Sequence, residues 1–127
     1  MFDNLDWSSK KILVAEDVES NYLFIEAVLR KTKAQLVWVQ TGREALDYVR
    51  NNDDLDLILM DIQMPEMNGY EATREIKKLD KDLPVVAQTA YAMSGEKELS
   101  IQAGCDGYIA KPIRVQTLLE VIKDLLG

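Results

Sequence analysis

The sequence predicts an α/β protein in which parallel strands alternate with helices, and three observations carry that prediction. The chain has 127 residues, of which 47% are apolar and 29% charged, as expected for one globular domain. Five short apolar runs recur at intervals with room for one helix and two turns. These runs are continuous rather than alternating, which is typical of strands buried on both faces of a parallel sheet.

The apolar runs are the predicted strands: ILVA (12–15), LVWV (36–39), LILM (57–60), VVA (85–87) and YIA (108–110). Between them, apolar residues recur at helical spacing. The first helix is predicted around Tyr22 and Ile25, the second over about 42–51, and the third around Tyr70 and Ile76. The fourth, over about 95–104, is weakly amphipathic. The pattern predicts five βα units with helices on both sheet faces, a doubly wound, three-layer α/β/α domain.

The last helix has the clearest pattern, because its apolar residues all fall on one face: Val115, Leu118, Leu119, Ile122, Leu125 and Leu126. Residues 1–10 precede the first strand and are predicted to form an N-terminal tail or linker, with the domain itself spanning 11–127. Within the tail, Trp7 is expected to pack on the domain edge, because an indole is unfavourable in water.

The charge and cysteine content exclude several classes of function. The net charge of −7 argues against direct binding of nucleic acid, which normally requires a basic surface. No apolar run approaches the roughly 18 residues of a membrane span, so no membrane contact is expected. A single cysteine, Cys105, excludes an internal disulfide and fits a reducing compartment. These features predict a cytoplasmic domain.

The chain contains no histidine. A Ser-His-Asp triad, a His-ligated zinc ion and an imidazole general base are therefore all excluded. Any metal would be held by oxygen atoms, which favours magnesium, calcium or manganese.

Polar residues follow the predicted strands, where ligands bind in open parallel sheets. Glu16 and Asp17 follow the first strand, Asp61 the third, Thr89 the fourth and Lys111 the fifth. Taken singly, each has an ordinary explanation as a helix cap, a strand former or a solvated loop charge. Together, three carboxylates at one edge would repel one another, and a divalent cation and a lysine would relieve that repulsion.

This set of groups suits phosphoryl transfer, in which catalysis is mostly positioning and charge neutralisation. A carboxylate can act as the nucleophile and become an aspartyl phosphate. Asp61 is the preferred candidate because it stands alone on the central strand, whereas Glu16 and Asp17 are adjacent and suit a metal. Mg²⁺ fits such a site, with Mn²⁺ as a possible substitute.

Four motifs, in their order and spacing, resemble the receiver domain of bacterial two-component response regulators: ILVAED (12–17), LILMDIQMPEMNGYE (57–71), VVAQTAYA (85–92) and GYIAKPI (107–113). The resemblance covers about residues 10 to 126. It implies a flavodoxin-like sheet of strand order 2-1-3-4-5. It also implies that Asp61 is the phosphoacceptor, that Asp17 binds magnesium with Glu16 as its outer partner, and that the main-chain carbonyl of Gln63 completes the protein ligands.

The resemblance further implies that Thr89 and Lys111 contact the phosphoryl group. Tyr108 would be an aromatic switch that turns inward as Thr89 moves, and the Lys111–Pro112 peptide bond would be cis. In this family, two positions tune the rate of dephosphorylation, and they are occupied here by Gln63 and Tyr91. One departure is Gln88, which stands where a small or apolar residue is common and predicts a buried amide.

The implied function is signalling rather than enzymatic turnover, although a receiver assists its own phosphorylation and dephosphorylation. Without histidine, the chain must receive the phosphoryl group from elsewhere. The donor would be a histidine kinase or a phosphotransfer domain, in another protein or in another part of a longer chain, or a small acyl phosphate. The signal is expected to leave through the fourth helix, fifth strand and fifth helix, or by passing on the phosphoryl group. Asn21 and DIQMPEMNG (61–69) resemble receivers of hybrid sensor histidine kinases, which would make residues 1–10 the end of a linker.

Three other functions fit the sequence less well. A phosphatase with an aspartate nucleophile would place it after the first strand in an Asp-x-Asp pattern, but the sequence there is Glu16-Asp17-Val18. A degenerate receiver, acting as a phosphorylation-independent binding module, would be expected to lack a pocket residue, and all five are present. A flavin-binding electron carrier would need a phosphate-binding loop after the first strand, where two acids stand instead.

Overall fold

Five parallel strands form a single sheet in the computed structural model, which describes residues 5–90 and 95–127. The strands are β1 (Lys11–Ala15), β2 (Gln35–Val39), β3 (Leu57–Asp61), β4 (Val85–Thr89) and β5 (Gly107–Ala110). They lie in the order β2-β1-β3-β4-β5. The chain reverses its direction of travel across the sheet between β1 and β3, so the crevice at their carboxyl ends is the topological switch point. The predicted α/β fold and strand order are confirmed.

Five helices cover the two faces of the sheet: α1 (Glu19–Arg30), α2 (Gly42–Asn51), α3 (Gly69–Leu79), α4 (Glu96–Ala103) and α5 (Val115–Leu126). Buried residues of α1 and α5 share one hydrophobic cluster, whereas those of α2, α3 and α4 belong to clusters on the opposite face. No helix in the described part of the chain combines the length and apolarity needed to cross a membrane.

Alternate residues of each strand point to opposite faces, and this alternation determines where the polar residues at the strand ends project. Val14 and Leu59 pack with α1 and α5, on what we term the α1–α5 face, and Val86 of β4 and Ile109 of β5 do the same. The residues that precede or follow these in the strands, such as Leu13 and Met60, pack on the opposite face. Asp61 continues the row of Leu59, so its side chain projects on the α1–α5 face.

The segment before β1 packs against the domain. Trp7 is only 4% exposed and joins the cluster formed by α1 and α5. Its main-chain N–H donates to the carbonyl of Thr32 at 2.7 Å, and the Gln35 side chain donates to the carbonyl of Ser8 at 3.2 Å. The indole therefore lies on the domain edge, as its cost in water predicts.

Candidate functional site

Asp61 is the last residue of β3 and is 3% exposed. The chain turns directly after it and returns at Gly69, whose N–H donates to the carbonyl of Ile62 at 2.9 Å. A Cβ atom on Gly69 would lie 2.5 Å from the carbonyl oxygen of Asp61, so only glycine permits this close return. The strand and the turn together hold the carboxylate at the edge of the sheet.

Every carboxylate oxygen of Asp61 and Glu16 accepts a hydrogen bond. Asp61 Oδ1 accepts from the main-chain N–H of Gln63 at 3.1 Å, and Asp61 Oδ2 accepts from Lys111 Nζ at 2.9 Å. Glu16 Oε1 accepts from the same Lys111 Nζ at 3.3 Å, and Glu16 Oε2 accepts from the main-chain N–H of Val18 at 3.1 Å. The Lys111 ammonium therefore bridges two buried carboxylates.

Lys111 reaches this position by crossing a strand. It follows β5, whereas its partners Asp61 and Glu16 lie at the ends of β3 and β1, with β4 between. The peptide bond between Lys111 and Pro112 is cis. Burial alone would lower the pKa of Lys111, but the hydrogen bonds and negative charges of Asp61 and Glu16 outweigh it, and the pKa is raised. The lysine is therefore a permanent positive charge in the site.

Glu16, Asp17 and Asp61 form an acidic cluster in which one oxygen of each lies within 4.8 Å of the others. Glu16 and Asp61 are buried and Asp17 is exposed. Burial and the adjacent Asp61 carboxyl together raise the pKa of Glu16 to about 7. Three hard oxygen ligands this close together, one of them open to solvent, are a donor set that fits a divalent cation such as Mg²⁺.

One residue that the strand-end pattern did not predict, Trp38 of β2, holds the main chain of the acidic cluster. Trp38 Nε1 donates to the carbonyl oxygen of Glu16 at 2.8 Å. The Trp38 ring also stacks on Tyr22, with ring centroids 4.3 Å apart and an interplanar angle of 1°. Trp38 interrupts a run of aliphatic residues in β2. Its unusual size is the sequence feature that could have pointed to this role.

The remaining predicted residues lie on either side of this cluster. Thr89 ends β4 and is buried, and its carbonyl accepts the main-chain N–H of Lys111 at 2.7 Å. Its side chain leaves the strand on the face opposite to that of Gln88, where Tyr108 packs beside Ile62. Tyr91 lies outside the described residues.

A family model of the response regulator receiver domain matches residues 12–123. A polar-differentiation response regulator, DivK, of Brucella anthropi is 41% identical over 120 residues, which cover 93% of this chain and 97% of the relative. Its counterpart in Brucella ovis is 40% identical over 121 residues, covering 94% and 98%.

Solved structures of receiver domains are also similar to this chain. The receiver domain of a sensor histidine kinase from Pseudomonas aeruginosa, with a magnesium ion coordinated in its active-site cleft, superposes with a TM-score of 0.86 at 35% identity over 94% of this chain and 98% of that one. The receiver domain of Ssk1 from Saccharomyces cerevisiae, crystallised with the histidine phosphotransfer protein Ypd1, gives a TM-score of 0.85 at 27% identity, covering 92% and 88%. The chain belongs to the response regulator receiver domain family of two-component signalling.

Proposed function

We propose that Asp61 accepts a phosphoryl group from a phosphohistidine of another protein or domain, and that the resulting change in the domain carries the signal onward. One observation carries this proposal: a buried carboxylate at the switch point of the sheet is bonded to an ammonium at 2.9 Å and has two further acids beside it. A nucleophile, a fixed positive charge and a set of metal ligands are thereby combined in one crevice.

In the proposed reaction, an Asp61 carboxylate oxygen attacks the phosphorus atom. A phosphorus–oxygen bond forms, and the bond from phosphorus to the imidazole nitrogen of the donor breaks. Every residue of β3 is buried, so the carboxylate is held rigidly for attack. Lys111 keeps its positive charge beside the incoming group, and the Thr89 hydroxyl at the end of β4 is proposed to donate to a phosphoryl oxygen.

Asp17 and Asp61 would hold a magnesium ion together with the main-chain carbonyl of Gln63, with Glu16 as an outer partner. Manganese would serve as a substitute. When bound, the ion neutralises negative charge on the transferring phosphoryl oxygens. The oxygen-only cluster within 4.8 Å supports this assignment, as does the magnesium in the related Pseudomonas receiver. The side chains of Gln63 and Tyr91 are proposed to tune how quickly water removes the phosphoryl group.

The proposed donor is a histidine kinase or a histidine phosphotransfer domain, because this chain contains no histidine. The yeast receiver that pairs with a phosphotransfer protein supports this partner class. The proposed output surface consists of α4, β5 and α5, with Thr89 and Tyr108 on the sheet face beneath α4. We further propose that the reaction takes place in the cytoplasm, and that the chain works as the receiver of a hybrid sensor histidine kinase.

The experiment is to incubate the protein with acetyl phosphate and Mg²⁺ and to measure its intact mass. We expect a labile adduct of one phosphoryl group on the wild type and none on Asp61→Asn. Asp53→Asn, which removes an exposed carboxylate of the loop before β3, should be labelled like the wild type. On the labelled protein, NMR shifts should extend from the site to Tyr108.

Equal labelling of Asp61→Asn, or labelling that continues after Mg²⁺ is removed by chelation, would contradict the assignment of the site. Shifts that stay within the acidic cluster would contradict the output surface alone. A protein that folds and binds Mg²⁺ but takes no phosphoryl group would instead be a phosphorylation-independent binding module.

A further inference from the structure

Gln88 is a polar residue buried without a partner. Its side chain has no exposed surface, and neither Nε2 nor Oε1 has a hydrogen-bond partner among the residues that the structure describes. Native structures leave few buried polar groups unpaired, because the lost interactions with water are not replaced. A carboxamide that is unpaired in one state of a protein therefore needs an explanation, and one explanation is a partner in another state.

The sheet register places Gln88 inside the candidate site. Gln88 on β4 pairs directly with Asp61 on β3, and it projects on the same face because it follows Val86 by two residues. Lys111 starts at the end of β5 and bonds to Asp61 and Glu16, so its side chain extends across β4 in the neighbourhood of Gln88. The unpaired amide thus lies along the path of the lysine.

Cation binding draws on the same two carboxylates that hold Lys111 in its present position. Each of the four carboxylate oxygens of Glu16 and Asp61 already accepts one hydrogen bond, so part of their lone-pair capacity is used. Two of those donors are main-chain N–H groups of the adjacent turns, and they are fixed by the course of the chain. The Lys111 ammonium sits on a flexible side chain, so it is the donor that can leave.

Glu16 is the partner that Lys111 gives up most easily. This bond is the longer of the two, 3.3 Å against 2.9 Å, and Glu16 lies on the strand farther from β5. An ammonium that releases Glu16 and keeps Asp61 moves back towards β4, where the Gln88 carbonyl oxygen is unpaired. The Lys111 side chain is only 20% exposed, so an ammonium that loses one acceptor without gaining another would be poorly solvated.

We propose that Gln88 is a positioning residue for Lys111: when a divalent cation binds at Asp17 and Asp61, with Glu16 as its outer partner, the Lys111 ammonium exchanges Glu16 Oε1 for Gln88 Oε1 and keeps Asp61 Oδ2. This inference rests on the metal site of the proposed function. The exchange frees one Glu16 oxygen for its role as outer partner of the cation, and it keeps the lysine directed at Asp61.

The test is Gln88→Met, which keeps the length of the side chain and removes both polar atoms. Without Mg²⁺, the variant should melt about 5 °C higher than the wild type, because an unpaired buried amide has been removed. Its dissociation constant for Mg²⁺, measured by calorimetry, should rise by about fivefold, because Lys111 has lost its second acceptor. These opposite changes separate positioning from a general loss of packing.

Gln35→Met is the matched control, since Gln35 is exposed at the opposite end of the sheet, and its affinity for Mg²⁺ should equal that of the wild type. In a Lys111→Met background, adding Gln88→Met should leave the Mg²⁺ affinity unchanged, because Gln88 acts only through the lysine. A wild type that fails to bind Mg²⁺ would overturn the metal site and this inference with it. Wild-type affinity in Gln88→Met, or an equal loss in the Lys111→Met background, would overturn the positioning role alone.

Discussion

The helices that precede and follow β5 are held very differently. Helix α5 buries Leu118, Leu119 and Ile122 in the cluster that it shares with α1. Helix α4 is shorter, and among its described side chains only Ser100 and Ala103 are buried. Its larger apolar side chains face outward: Leu99 is 46% exposed and Ile101 is 62% exposed.

This contrast indicates which of the two helices can respond to a small change at the site. Most of the stability of a helix in a protein comes from burying its apolar face, and α4 buries little. Its N-cap residue, Gly95, offers no side-chain cap, and the only cap at its other end is main-chain hydrogen bonding at Gly104. Elements with so few buried apolar groups open at low free-energy cost. Helix α5 is an anchor by comparison, and α4 is the part of the proposed output surface that can shift.

The largest expected difference is in stability. Leu118→Ala should lower the free energy of unfolding by about 3 kcal/mol, because it leaves a cavity in the cluster between α1 and α5. The same substitution on the other helix, Leu99→Ala, should cost less than about 0.5 kcal/mol. Urea unfolding of both variants measures the two values. Similar costs would contradict the view that α5 is anchored and α4 is not.

A second expectation concerns thiol reactivity at the end of α4. Cys105 is partly buried, and burial raises the pKa of its thiol from 9.0 to about 11. Because the thiolate is the reactive form, alkylation by iodoacetamide at pH 8 should be about a hundredfold slower than for an exposed cysteine. The rate should continue to rise with pH beyond 9 and level off only near 11. Mass spectrometry of timed samples measures it.

Ile101→Cys in a Cys105→Ser background is the matched thiol for this measurement. It places a cysteine on the exposed side of α4, where alkylation should be fast and should level off near pH 9. Equal alkylation rates at positions 101 and 105 would show that the end of α4 opens often enough to expose Cys105 as fully as a surface thiol. In that case the hydrogen bond from Cys105 N–H to the carbonyl of Ser100 does not hold the helix end.

The smallest expected difference between two variants is at the C-cap of α4. Gly104 has φ of 101°, and a Cβ atom there would lie 3.1 Å from Cγ of Lys77. Gly104→Ala should therefore cost about 1 kcal/mol in the free energy of unfolding, whereas Gly104→Asn should cost less because asparagine tolerates this conformation. The denaturant midpoints of the two variants measure these two costs. No loss in Gly104→Ala would mean that the end of α4 relaxes freely around the new side chain.

Much of the architecture was predictable from sequence because it follows local patterns. The five apolar runs matched the strands to within two residues at each end, and the second helix, predicted over about 42–51, spans Gly42–Asn51. The weak apolar pattern of the fourth helix also corresponds to the small number of side chains that this helix buries. The burial of Trp7 against the domain was expected from the cost of exposing an indole, although the hydrogen bond to Thr32 was not.

The details of the site were less predictable because they depend on contacts between distant segments. The strand ends predicted that Glu16, Asp61 and Lys111 would share one edge of the sheet, and the structure brings them into contact. The hydrogen bond from Trp38 to the Glu16 carbonyl was not predictable, because it joins two segments that are distant in sequence. The roles predicted for the site residues stay predictions, including those of Thr89, Tyr108, Gln63 and Tyr91.

The sequence by itself determined the strand and helix pattern, the acids and the lysine at the strand ends, and the absence of any histidine donor in this chain. Hydrophobic periodicity and residue chemistry are local, so they can be read without coordinates. Only the tertiary structure decided that one lysine bridges two buried carboxylates, that burial raises the pKa of Glu16, and that the Gln88 amide lies unpaired beside them. Hydrogen-bond partners and desolvation depend on which distant side chains share a buried volume, and only folding decides that.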